Sequence, residues 1–64
     1  MKFVDAVTIL NNYAVNTLGV DSDSNFDEVF DAVGTAFVDY GHNAIPRVVL
    51  QSMDTVQRFI NNYN

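Results

Sequence analysis

The chain has 64 residues, eight acids against three bases, a formal net charge of −5 and no cysteine. A length of this order gives one domain, residues 1–64, that buries only about 60 % of the surface its unfolded chain exposes, which leaves little room for a multi-residue catalytic cleft. The charge repels phosphate backbones, so direct nucleic-acid binding is not expected, and without cysteine neither a disulfide framework nor a thiolate metal site can supplement the small core.

The first segment opens with "MKFVDAVTIL", where Asp5 interrupts the apolar run before it reaches signal-peptide length. No later run approaches the roughly 18 apolar residues of a membrane span, and no Asn-x-Ser/Thr site occurs. The expectation is a soluble, cytoplasmic protein, in the host cytosol if its origin is viral, with no membrane partner. Phe3, Val7, Leu10, Ala14 and Leu18 recur in steps of three or four, widened by Ala6 and Tyr13, and predict a helix over about 2–18 that ends at Gly19.

Between the first two helices lies "GVDSDSNFDEVF". Asp21, Asp23 and Asn25 match the first, third and fifth positions of a calcium loop, but Phe26 stands where the sharp turn needs glycine and Ala32 where the bidentate glutamate belongs. Capping explains more of these residues. Ser24 with Asp27, or Asn25 with Glu28, fits a capping box at the start of the next helix, and Asp27, Glu28 and Asp31 then favour its positive end. No metal and no cofactor is therefore assigned, and calcium binding by this loop is the least favoured of the functional readings.

The second helix is predicted over about 25–40. Phe26, Val29, Phe30, Val33, Ala36, Phe37 and Tyr40 share one face, and Gly41 closes it. Gly34 inside this segment is read as a tolerated surface glycine, in preference to a close approach by another helix. The third helix is predicted over about 44–62 from Ile45, Val48, Val49, Met53, Val56, Phe59, Ile60 and Tyr63, with Asn43 as its N-cap and Pro46 in its first turn. Ile45 precedes the proline and is pushed toward extended angles. Arg47, Gln51, Asp54 and Arg58 form its polar ridge. The fold class that follows is all-α, a compact three-helix bundle with short loops.

Nothing in the chain assembles catalytic chemistry. His42 lacks a cysteine partner and an enclosing pocket, the serines lack a local base, and no glycine-rich phosphate loop occurs. The expectation is a non-enzymatic protein with no catalytic residues. Tyr13, Tyr40 and Tyr63 are expected to complete the core with their rings while their hydroxyls reach water.

The charge is unevenly spread. Residues 1–45 carry seven acids and one lysine, and the remainder carries Asp54 against Arg47 and Arg58. Two functional readings follow. The first is a small acidic binding protein that docks on a basic surface of another protein, one of the kind that holds nucleic acid, and acts as an inhibitor encoded by a virus or mobile element. Its partner-binding residues are Asp27, Glu28, Asp31, Val38 and Asp39 on the second helix, with Ile9 and Asp5 on the first. The second reading is a self-associating homodimer that pairs off-stripe apolar residues of the first or third helix across a two-fold axis.

Overall fold

A computed structural model describes residues 1–63. Among them the chain forms an all-α three-helix bundle of α1 (Phe3–Thr17), α2 (Phe26–Tyr40) and α3 (Arg47–Tyr63), with a short 3₁₀ turn over His42–Ala44. No helix is long and apolar enough to cross a membrane among these residues.

Each boundary has a local cause. Past α1, Gly19 takes a φ of 76°, and the chain folds back so that the Val20 N–H donates to the Ala14 carbonyl at 3.0 Å. At the start of α2, the Asn25 side chain accepts the Glu28 N–H at 3.0 Å, so Asn25, and not Ser24, is the cap. Gly41 ends α2 with a φ of 81°, and its N–H donates to the Phe37 carbonyl at 2.9 Å. A side chain at either glycine would be strained in this left-handed region.

The third helix begins later than its apolar pattern predicts. Asn43 lies inside the 3₁₀ turn and caps nothing; Ile45 is extended, with φ −103° and ψ 131°. The carbonyl of Pro46 accepts the first bonds of α3, from the N–H groups of Val49 and Leu50. The steric restriction that proline imposes on its predecessor therefore overrode the capping preference of Asn43.

The core is built around α1. Ala6, Leu10 and Ala14 line its buried stripe and meet Val29, Val33 and Ala36 of α2, Val49 and Val56 of α3, and Ile45 of the connection. α1 packs extensively on α3 and less on α2, whereas α2 and α3 barely meet. Ser52 is the one polar residue fully buried among the described residues. Its hydroxyl is satisfied by donating to the Val48 carbonyl at 2.7 Å, with the Met1 sulfur at 3.3 Å, so its burial leaves no orphan donor.

The predicted stripes are longer than the core they face. Phe37, Tyr40, Val48, Phe59, Ile60 and Tyr63 all lie on or beside the expected apolar faces, yet all are exposed. Among the tyrosines only Tyr13 packs against the core; Tyr40 and Tyr63 do not. The body is flattened, with extents of 29 × 28 × 18 Å, and these residues, most of them in the last turns of α2 and α3, keep much of their surface uncovered.

Candidate protein-docking surface

The buried stripe of α2, Val29, Val33 and Ala36, fixes what its opposite face presents. At about 100° per residue, Val38 points directly away from that stripe, with Asp27 and Asp31 to either side in projection. The cap at Asn25 sets this register at the first turn. Val38 is 80 % exposed, and Asp27, Glu28, Asp31 and Asp39 are exposed as well.

Two parallel rows give this face its shape. Phe30, Gly34 and Val38 follow one another at steps of four, and Asp31, Thr35 and Asp39 run beside them. Gly34 has no side chain to fill the space between neighbouring turns, and the six residues line a shallow open depression of about 410 Å³. A Cβ placed at Gly34 would meet nothing within 4 Å. No helix approaches there, so Gly34 is a surface glycine and the depression is open to solvent.

The carboxylates around the depression have no cationic partner among the described residues. The one ion pair there is on α3, where Arg58 Nε lies 2.9 Å from Asp54 Oδ2. Along the axis Asp27 and Asp31 lie about 6 Å apart, Glu28 and Asp31 about 4.5 Å, and Asp39 about 12 Å beyond Asp31, so the face carries like charges along its length. Such an array stays hydrated until a cationic surface replaces its counterions.

Asp31, Val38 and Asp39 border the depression directly, and Asp27 and Glu28 occupy the turn before it. The two residues assigned on α1 behave differently. Asp5 is exposed in the first turn of α1, but Ile9 is half-buried and packs against the core, so it is not a free apolar contact. Phe30, Gly34 and Thr35 were not among the assigned residues. The signal that finds them is the position of Gly34, three residues after Asp31 and four before Val38.

The segment that partly matches a calcium loop is a capping turn. The Ser24 N–H donates to the Asp21 carbonyl at 3.0 Å, and the Asn25 side-chain oxygen is engaged by the Glu28 N–H. No group of three or more His, Cys, Asp or Glu side chains that could hold a metal gathers among the described residues. His42 is exposed in the 3₁₀ turn, with its ring 6.4 Å from that of Phe37. No family model, curated protein or solved structure matches the chain.

Proposed function

We propose that the chain is a small non-enzymatic binding module that docks the outer face of α2 on a basic surface of another protein, one that ordinarily holds nucleic acid. Occupying that surface makes it an inhibitor, of the kind a virus or mobile element encodes in a short polypeptide acting in the host cytoplasm. The observation that carries this reading is the set of four exposed carboxylates, Asp27, Glu28, Asp31 and Asp39, spread along the face of α2 that also presents exposed Val38, with no cation paired to them among the described residues. The depression over Gly34 gives a partner side chain, an arginine or lysine stem above all, a place to lie along Val38 and Phe30 while its head meets Asp31 or Asp39.

Charge of this type acts first on encounter. A field of one sign speeds association with an oppositely charged partner and weakens as salt rises. The test is capture from host lysate by the wild-type chain and by a variant carrying Asp27→Asn, Glu28→Gln, Asp31→Asn and Asp39→Asn together. The proposal expects a nucleic-acid-binding protein held by the wild type, released by salt, displaced by a competing duplex and absent with the amide variant. A partner that the amide variant retains and that salt does not release would refute it.

A further inference from the structure

A second surface, unrelated to the acidic face, is formed where the start of α1 meets the end of α3. The rings of Phe3 and Phe59 stack with centroids 4.2 Å apart, and Tyr63 continues the stack at 5.8 Å from Phe59. These rings cover one another only in part. Phe3 is 36 % exposed, Phe59 45 % and Tyr63 82 %, and Met1 and Ile60 beside them are about half exposed. Tyr63 and Ile60 lie in the same register on α3 as buried Val49 and Val56, so this is the core stripe of α3 carried past the end of its cover.

We propose that this aromatic face is covered by a second copy of the chain, in a two-fold homodimer. Three lines support that occupant. The first is area: at about 150–250 Å² for a fully exposed residue of this size, the five residues leave roughly 500 Å² of mostly apolar surface per chain, and two such faces covered in full reach about the 1,000 Å² that separates a specific interface from an adventitious one. The second is surplus surface. A compact chain of 7.1 kDa is expected to expose about 4,100 Å², whereas this one exposes 4497 Å², an excess of the same order as the patch.

The third line is charge. Two chains of net charge −5 repel, and contact through their α2 faces would set four carboxylates against four. The rim of the aromatic face is close to neutral: Lys2 and Arg58 flank it, with Asp5 in the first turn of α1 and Asp54 already paired to Arg58. It is the large apolar area that a second copy can approach without opposing like charges, and an isologous contact closes after two copies.

Sedimentation equilibrium of the full chain over low to high micromolar concentration tests the proposal, with ring and Ile60 methyl resonances followed on dilution of the wild type. The expected mass rises from that of one chain to that of two and no further. Association strengthens or holds as salt screens the net charge, and the resonances that move belong to Phe3, Phe59, Ile60 and Tyr63. Tyr63→Asp, at a residue too exposed for the fold to depend on it, weakens association at least about tenfold, and Val38→Asp leaves it unchanged. A strict monomer throughout, a mass that grows beyond two chains, or dilution shifts confined to α2 would each overturn it. Because the acidic face takes no part, loss of dimerisation and loss of partner capture are separately observable.

Discussion

Replacing Asp31 by asparagine should make the protein more stable while weakening the binding proposed for it. α2 begins at Phe26, so Asp31 is its sixth residue and, contrary to the expectation that it favours the positive end with Asp27 and Glu28, lies beyond the first turn in which the helix dipole acts. Asp27 precedes it by four residues and Glu28 by three, and no cation pairs with any of them among the described residues. Each like-charge pair at such spacing costs about 0.2–0.5 kcal/mol, and asparagine and aspartate have similar helix propensity. Asp31→Asn should therefore gain about 0.4–1 kcal/mol, which in a domain of this size raises Tm by roughly 2–8 °C. The assay is thermal unfolding followed by circular dichroism at low ionic strength and again at about 1 M salt, where the Debye length is about 3 Å and most of the gain should vanish. A lower Tm, or a gain that is the same at both ionic strengths, would refute the reasoning, because either would mean that Asp31 is held by something other than its repelling neighbours.

Other substitutions test the frame that presents this face. Gly34→Ala meets no obstruction and should stabilise by up to about 1 kcal/mol, read as a rise in the urea midpoint, while it makes the depression shallower and weakens capture of the partner. Leu10 is wholly buried at the centre of α1. Leu10→Ala should lose about 2–5 kcal/mol out of a total of roughly 3–10 for a chain of this length, so most of its far-ultraviolet helical signal should disappear in mild urea; an unaltered midpoint would show that α1 is not the central element. Asn25→Ala removes the bond to the Glu28 N–H and should cost about 1 kcal/mol, with faster amide exchange confined to the first turn of α2.

The three helices and the direction each one faces were legible because apolar residues at steps of three and four leave little choice of face. The two left-handed glycines that stop α1 and α2 were legible for the same kind of reason: few other residues serve there. Periodicity does not report how far a neighbouring helix extends. Tyr40, Ile60 and Tyr63 continue their stripes, yet they stay largely exposed, and a pattern within one helix carries no record of that. Ser52 escaped notice for the opposite reason. It falls on the stripe between Val49 and Val56, but its hydroxyl makes it look solvent-facing until the bond back to the Val48 carbonyl is seen. Of the candidate surface, the acids and Val38 could be placed from the helix wheel alone. The depression could not, since it depends on the open space over Gly34. Ile9 was misplaced because its polar neighbours on α1 suggested solvent where the fold supplies partial cover.

The arrangement of α2 also bears on how such a protein can change over generations. Its inner residues answer to α1, whereas the side chains of Asp27, Asp31, Val38 and Asp39 make no hydrogen bond or ion pair to the rest of the described chain. Substitutions on that outer face therefore leave the fold intact, shifting stability by no more than about 1 kcal/mol in either direction. A lineage pursuing a drifting target could revise the charge pattern one position at a time without first acquiring compensating changes in the core, and the two helices on the far side would not register the difference.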